Sequence, residues 1–380
     1  MAYIWRLSAI WLWKETTSWT AVPAQVWIPK ESGTLNPSFE EARDSSWYWV
    51  IDEIYESYTT KNFSNITLWG IARDDFIGYL LLWALWKYSK VKCFKASNIS
   101  WWTPARWDIV SNWTLKKIIK IWSTNYYFFD WNVSAWSVSN GTRTMTLTEV
   151  SWVKGHFFER LNSNQHPSFT IYDDDPIAWS YAPYCMINTF ELSCEVADYV
   201  KFNVEFQWKQ MQSASEQNPV YADEAPFLAS MAGVRFANNE SWLNDASEQC
   251  MQNFRVSVNK NLTDIQCFWS TDIDSIYNQQ FWVEWDFEAL YESTTLRDYV
   301  VNSQKKALRF YAENKNAPAL ATWIYPSIYV DLMKVGLNEW TKTDTTNEII
   351  KQTMWFTGQY SNNDSASIEI LLLNSNWEWY

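Results

Sequence analysis

Apolar and polar residues alternate with a period of two over much of this chain. Residues 200–206 read V-K-F-N-V-E-F, and residues 254–259, 307–312, 328–332 and 368–372 follow the same pattern. Because successive side chains of a strand point to opposite faces, each stretch predicts a strand with one buried and one solvated face. Strands of this kind are typical of antiparallel sheets.

One stretch has helical spacing instead. After Asp74 and Asp75, which suit a helix N-terminus, apolar residues recur at i, i+1, i+4 and i+5 from residue 76 to residue 85. We expect this helix to pack on a sheet face and to end at Trp86, where a left-handed residue such as Gly is usual. A second helical turn is expected near residues 294–302. The whole pattern predicts a mainly β (α+β) fold, an antiparallel β-sandwich or barrel with one packed α-helix.

No Pro- or Gly-rich linker divides the sequence, so we expect a single domain over residues 1–380. Residues 88–155 are rich in turn signals and short apolar runs, which predicts an inserted β-hairpin subdomain. Within them, the aromatic run 126–129 could stack on bases or sugars. Since no basic residue interrupts this run, a buried strand is the favoured interpretation.

The contents of Trp and Gly are unusual, with 29 Trp and 8 Gly in 380 residues. Globular chains carry about 7% Gly, and many of these Trp follow Asn, Asp or Ser, where turns favour Gly. Trp131 between Asp130 and Asn132 is an example, whereas Trp27 and Trp340 lie outside turn signals. Our hypothesis is that the natural host reads UGA as Gly, and that this chain carries Trp at those codons. We expect such Trp to lie mainly in turns and to be exposed.

The charge balance narrows the function classes. A net charge of −13 and a pI near 4.7 argue against a surface that binds the phosphates of nucleic acids, since such contacts need Lys and Arg. Five Cys without a C-x-x-C pair predict neither a disulfide framework nor a zinc site. We find no convincing secretory signal, and the longest apolar run, residues 76–86, is too short to span a membrane.

The sequence contains no recognisable catalytic motif. His156 and His166 have no metal-ligand spacing to each other or to a Cys, and no G-x-S-x-G, P-loop or G-x-G-x-x-G pattern is present. The three Asp at residues 173–175 lack the spaced ligands of a Ca²⁺ loop, which favours a solvated turn. We therefore expect no enzyme activity, no cofactor and no metal.

Several segments carry a family resemblance once Gly is read at the suspect Trp positions. Residues 13–20, W-K-E-T-T-S-W-T, are similar to a G-K-E-T-x-x-G-T opening, and residues 76–86 to an L-G-x-L-L-x-x-x-L-G helix. Residues 156–158 and 167–171 match an H-x-F and P-S-F-T-I strand pair, and residues 184–209 match the next two strands. In this order, the motifs resemble those of the tail tube proteins of long-tailed bacteriophages.

The resemblance implies a tail-tube-like fold and a structural role in the virion tail, after assembly in the host cytoplasm. Family members form hexameric rings that stack into a tube, through which double-stranded DNA leaves the capsid. The implied partners are further copies of this chain and proteins of the tape-measure and tail-terminator types, without a membrane. A net charge of −13 per subunit suits a conduit through which DNA passes without specific binding.

The resemblance also implies a stacking loop early in the chain, between rings. The irregular segment 43–65 lies in a comparable place. The candidate stacking residues within it are Asp44, Ser45, Ser46, Asp52, Glu53 and Glu56.

An alternative of another class stays open. A carbohydrate-binding β-sandwich could use genuine surface Trp as stacking platforms. UGG codons at nearly all of the Trp and clustered exposed Trp would favour that function.

Overall fold

The computed structural model describes most of the chain. The described residues are 8–18, 20–33, 35–46, 52–97, 115–121, 124–130, 137–140, 143–164, 166, 168–215, 217–343 and 349–376. Trp113, Trp131 and Trp377, which follow Asn or Asp in the sequence, lie outside these ranges.

The fold is built from antiparallel strands and two helices. The first strands are β1 (Ala9–Lys14), β2 (Val26–Ile28), β3 (Asn36–Asp44), β4 (Glu56–Ile71), β5 (Trp86–Ser97), β6 (Leu115–Ile121), β7 (Thr124–Asp130), β8 (Ser137–Asn140), β9 (Arg143–Arg160), β10 (Phe169–Asp174), β11 (Trp179–Glu195) and β12 (Val200–Trp208). The later strands are β13 (Gln212–Ser213), β14 (Ala232–Ala237), β15 (Glu248–Gln249), β16 (Met251–Asn259), β17 (Leu262–Gln266), β18 (Ile273–Asn278), β19 (Trp282–Leu290), β20 (Lys305–Glu313), β21 (Ser327–Thr343), β22 (Lys351–Gly358) and β23 (Ile368–Asn374). The helices are α1 (Ile77–Leu85) and α2 (Thr295–Val301).

The predicted mainly-β fold is confirmed. All five alternating stretches lie in strands, namely β12, β16, β20, β21 and β23. Helix α1 begins and ends within one residue of the predicted bounds. It packs against β5, β9 and β11, and every one of its residues is buried. Its central Trp83 ring stacks on Phe169 of β10, with ring centroids 4.5 Å apart.

Four strands form a unit that occurs twice. The first unit has the sheet order β3–β4–β12–β11, and the second has the order β16–β19–β22–β21, with every pair antiparallel. A helix follows the second strand of each unit, α1 after β4 and α2 after β19. The units are joined because β11, at the end of the first, pairs with β16, at the start of the second.

Each of the two units contains a β-bulge at the equivalent position. The pairing of β11 with β12 shifts at Asn188, and the pairing of β21 with β22 shifts at Asn338. Next to each bulge, three apolar residues face one another across the sheet, in the first unit Ile66, Phe206 and Ile187, and in the second Trp285, Phe356 and Leu337. All six side chains are buried. Bulges bend strands at defined points, so the two units carry this irregularity at equivalent positions.

Strands β11 and β21 each belong to two sheet regions. The N-terminal half of β11 pairs with β10, and the N-terminal half of β21 pairs with β20 and β23. The core lies between these regions, where Phe254 of β16 stacks on Phe310 of β20 with ring centroids 4.4 Å apart.

A buried ion-pair network connects β6 to the later strands. The Lys117 ammonium contacts the Asp331 carboxylate and lies 3.2 Å from Glu240 and 3.4 Å from Glu369. The Arg309 guanidinium forms a bidentate pair with Asp331, at 2.7 and 2.8 Å. Burial raises the pKa of Asp331, but the two cations outweigh burial and lower that pKa to about 2. Asp331 is therefore ionised at neutral pH, as are its two cationic partners, whose pKa values the surrounding carboxylates raise.

Two interpretations of local sequence are wrong. Asp173 and Asp174 are buried in β10, and Asp173 pairs with Lys30 at 3.5 Å, so only Asp175 forms the expected turn. Strands β9 and β10 do not pair with each other, because β9 lies between β5 and β23 while β10 lies between β1 and β11. In both cases distant strands provide partners that adjacent sequence does not reveal.

Candidate assembly surface

Strands β3 and β4 form a long antiparallel hairpin. Their register runs from Asn36 opposite Asn65 to Asp44 opposite Glu56. The part of β4 beyond Lys61 toward the hairpin tip is exposed on both faces, as is nearly all of β3. Exposed apolar side chains here include Phe39, Tyr55 and Tyr58. This hairpin therefore presents an uncovered surface of apolar and acidic groups.

The structure places the six candidate stacking residues at the tip of this hairpin. Asp44 ends β3 and Glu56 begins β4, and Ser45, Ser46, Asp52 and Glu53 lie between them. Five of the six are exposed, and Asp44 is half-buried. The segment 47–51, with Trp47 and Trp49, lies outside the described residues. The four carboxylates thus belong to the tip of one hairpin.

Local hydrogen bonds hold the described part of the tip. The Asp44 side chain accepts the Ser46 N–H at 2.9 Å, and its carbonyl oxygen accepts the Tyr55 N–H at 2.8 Å. The Tyr58 hydroxyl donates to the Glu56 carboxylate. This bond raises the pKa of Tyr58, so the phenol stays neutral at physiological pH.

The middle of this hairpin, at the base of its exposed tip, is fixed by a second hairpin, β17–β18, which sequence analysis missed. Asp264 of β17 pairs with Lys61 at 2.5 Å, and Gln266 donates to the Thr60 carbonyl at 2.6 Å. The Asn62 N–H donates to the Thr271 carbonyl at 2.7 Å. In the sequence, the only indication of this second hairpin is a pair of apolar stretches on either side of the turn-forming residues 267–271. These contacts orient β3–β4 relative to the sheet.

The tip of β17–β18 carries two aromatic side chains in solvent, Phe268 and Trp269, which are 109% and 86% exposed. Large exposed apolar groups that lie together mark contact surfaces. A second projecting hairpin therefore lies beside the first.

The residues considered for catalysis are buried. His156 lies in β9 with its Nδ1 2.8 Å from the Tyr88 hydroxyl, and burial lowers its pKa to about 3. Burial also lowers the pKa of His166 to about 3. Among the described residues, no group of three or more His, Cys, Asp or Glu side chains is arranged to hold a metal ion. Tyr126, Tyr127 and Phe128 are buried in β7, as predicted for a strand interior.

The Trp side chains divide into distinct environments. Among the described residues, six Trp are exposed, namely Trp69, Trp242, Trp269, Trp282, Trp323 and Trp355. Most of the described Trp lie in strands, so for these residues the expectation that they lie mainly in turns is wrong. Trp86 and Trp323 nevertheless have left-handed backbones, with φ of 72° and 65°. Trp86 is the C-terminal cap of α1, as predicted, and its N–H donates to the Leu82 carbonyl. Both positions have the conformation that Gly adopts most easily.

Comparison with known families gives one match. Residues 123–347 match the family model described as Phage tail tube protein, which is more than half of the chain. The search of curated proteins finds no match. The candidate stacking residues precede the matched range, whereas the motifs at residues 156–209 lie within it. No helix in the described ranges combines the length and apolar character needed to cross a membrane.

Proposed function

Because the chain belongs to the phage tail tube protein family, we propose that it forms hexameric rings that stack into the tail tube and conduct DNA during ejection. The family match over residues 123–347 carries this proposal. The family is structural and implies a tail component of the virion, and we propose that the chain has no catalytic role. Residues 88–155 would form an inserted β-hairpin subdomain.

Stacking between rings is assigned to the tip of the β3–β4 hairpin. The supporting features are its exposure, its four grouped carboxylates and the anchoring of its base by Asp264 and Gln266. Because the hairpin is anchored at the base of its tip, the tip can contact a neighbouring ring in a fixed orientation. Its partner surface on that ring would have to offer cations or hydrogen-bond donors to the carboxylates.

Conduction of DNA needs a wall that does not retain phosphate. The net charge of −13 per subunit supports this function, since every exposed cation in the wall would slow the passage of duplex DNA. Ends of the tube would contact proteins of the tape-measure and tail-terminator types, and the tube would assemble in the host cytoplasm.

Electron microscopy of the purified protein tests the proposal. Rings and stacked tubes with a central hole are expected. A field of monomers over a wide range of concentration would contradict ring formation and would favour the carbohydrate-binding alternative. The same preparation, mixed with duplex DNA at low salt, should not retard the DNA in a gel.

The stacking assignment has its own test. Deletion of residues 44–49, or the triple reversal Asp52→Lys, Glu53→Lys and Glu56→Lys, should leave rings or monomers that do not elongate. The matched control reverses three exposed acids elsewhere, Glu195, Asp223 and Glu292, and should form full-length tubes. Full-length tubes from the tip variants would disprove the assignment.

A further inference from the structure

We propose that the outer face of β16 and β19 carries a binding site for a neutral saccharide, with the indole of Trp282 as its stacking surface. The site is a cleft of about 370 Å³ beside the point where the β17–β18 hairpin leaves the sheet. Saccharide binding would be separate from tube formation, so this inference goes beyond the proposed function and does not rest on it. The ligand class follows from the residues that line the cleft.

Cross-strand pairing brings four side chains of the cleft together. Asn259 lies opposite Trp282, and Ser257 lies opposite Glu284. Opposed residues share one face of a sheet, and so do residues i and i+2 of a strand. The alternate residues, such as Val258, are buried in the core. The four side chains therefore form one patch on the outer face of the sheet.

The segments that join β16 to β17 and β18 to β19 form the remaining wall of the cleft. They contribute Asn261, Gln279 and Gln280. The Gln279 N–H donates to the Lys260 carbonyl at 3.1 Å, which ties the two segments together. The Asn261 side-chain amide donates to the Gln280 carbonyl at 2.6 Å, and the Asn261 N–H donates to the Asn259 side chain at 2.7 Å. Because the wall is held before a ligand binds, less entropy is lost on binding.

Most polar side chains that line the cleft have unused hydrogen-bonding capacity. Among the described residues, no partner is provided for the side chains of Ser257, Gln279, Gln280 and Glu284. Hydroxyl and amide groups can both donate and accept, as the hydroxyl groups of a sugar do. An apolar ligand would leave these groups unpaired away from water, which costs free energy. The lining therefore favours a ligand with many hydroxyl groups.

The charge of the cleft disfavours anionic ligands. Glu284 is the only charged residue in its lining. On β16, the Arg255 guanidinium is paired with Asp286 at 2.6 Å, and the adjoining Lys260 ammonium is buried against α1. Phosphates and sugar acids are bound through Lys or Arg, so nucleotides and acidic sugars do not fit this lining. A neutral saccharide fits, because its hydroxyl groups can donate to the Glu284 carboxylate.

Trp282 is available for stacking. Its side chain is 46% exposed, and among the described residues no other ring and no cation covers it. An aromatic ring gains most from a flat apolar partner, and one side of a sugar ring offers such a surface. Trp282 follows Phe281 in a strand, so it is not one of the Trp at turn signals.

The first four-strand unit has an aromatic residue at the same position. Ile66 and Trp285 are equivalent, because each lies opposite the buried Phe beside the bulge. Three residues before them are Phe63 and Trp282. Phe63 packs against a buried cluster that includes Ile273 of β18. The equivalent ring of the second unit has no such cover in the described part of the chain, which leaves its face for a ligand.

Saturation-transfer NMR with the full chain tests ligand class. The neutral probes are maltotriose, cellotriose and triacetylchitotriose, and the anionic probes are trigalacturonate and an oligothymidylate. At least one neutral probe should bind, and neither anionic probe should bind. Binding of an anionic probe, or of no probe at all, would overturn the proposal.

Variants test the place of binding. Trp282→Ala should weaken binding of the neutral oligosaccharide by about tenfold, because the stacking surface is lost, whereas Trp282→Phe should keep part of the affinity. The matched control is Trp355→Ala, since Trp355 lies on the adjacent strand β22 and is 42% exposed. This control should bind as the unchanged chain does. Equal affinities of Trp282→Ala and Trp355→Ala would overturn the site, and circular dichroism checks that all variants are folded.

The outcomes separate this proposal from the tail tube function. Tubes in the electron microscope without saccharide binding would overturn the site and leave the tail tube function intact. Saccharide binding that depends on Trp282 supports the site, whether or not tubes form. If such binding occurs in a chain that forms neither rings nor tubes, the proposed function is overturned and the site is not.

Discussion

Trp208 and Gly358 occupy the same position in the two units of the sheet. Each follows by two residues the buried Phe, Phe206 or Phe356, that lies beside the bulge. A Cβ on Gly358 would lie only 3.0 Å from the Val283 Cβ, so backbone and side chain approach closely there. Trp208 is fully buried, and its indole N–H has no hydrogen-bond partner. A buried Trp ordinarily finds one, which supports Gly as the natural residue.

This relationship predicts the codons of the gene. We expect UGA at positions 86, 208 and 323, where the backbone or the repeated unit favours Gly, and UGG at positions 27 and 340. Sequencing the gene from its natural host checks this. UGG at all five positions would contradict the recoding hypothesis.

Variants at Trp86 should follow the order of stability expected at a left-handed helix end, with Gly better than Ala. Because its φ is 72°, Trp86→Gly should be more stable to unfolding than Trp86→Ala by about 1 kcal/mol. Denaturant unfolding measures the difference. As the matched control, Trp83 within α1 should show the opposite order, with Ala better than Gly by about 1 kcal/mol. The same order at both positions would refute the left-handed conformation of Trp86.

Lys117→Met should be strongly destabilising. The variant leaves Asp331, Glu240 and Glu369 buried around the single cation Arg309. Breaking a buried ion pair from one side costs about 3–5 kcal/mol of unfolding free energy. Lys315→Met, on the surface, should change it by less than about 0.5 kcal/mol. Similar unfolding midpoints for both variants would show that β6 does not depend on this network.

Stability should rise with pH above neutrality because of Lys260. Its buried ammonium donates to the Trp83 carbonyl at 2.7 Å, and burial lowers its pKa from 10.5 to about 7. Between these two values the unfolded chain binds one proton more than the folded chain, so unfolding free energy should increase by about 1.4 kcal/mol per pH unit. Unfolding curves at successive pH values measure the slope. Lys260→Met should abolish this rise, and an unchanged slope in the variant would assign it to another group.

Strand positions were predictable because alternation is a local property. The strand β12 alternates buried and half-buried residues along its whole length, as its sequence indicates. The cap at Trp86 was equally local, since it depends on where the apolar stripe of α1 ends. In contrast, Asp173 was assigned to a solvated turn because its partner Lys30 lies far away in the sequence.

The candidate stacking residues were located by resemblance and not by chemistry. In the sequence they are only acidic and polar residues between two predicted strands. The pairing of Asp44 with Glu56 brings them together at one hairpin tip. The anchoring contacts come from β17–β18, whose Asp264 has no local signal for a contact with Lys61.

The sequence by itself determined the class of this protein: antiparallel strands from alternation, one packed helix from its apolar stripe, and a family resemblance from the order of motifs. Only the tertiary structure decided that four strands recur as a second unit and that β11 joins β16 between them. Strand pairing depends on backbone groups that are the same in every residue, so the sequence leaves the choice of partner open. The buried face of each strand selects its partners, as the burial of Phe206 and Phe356 at equivalent positions of the two units shows. That burial exists only in the folded chain.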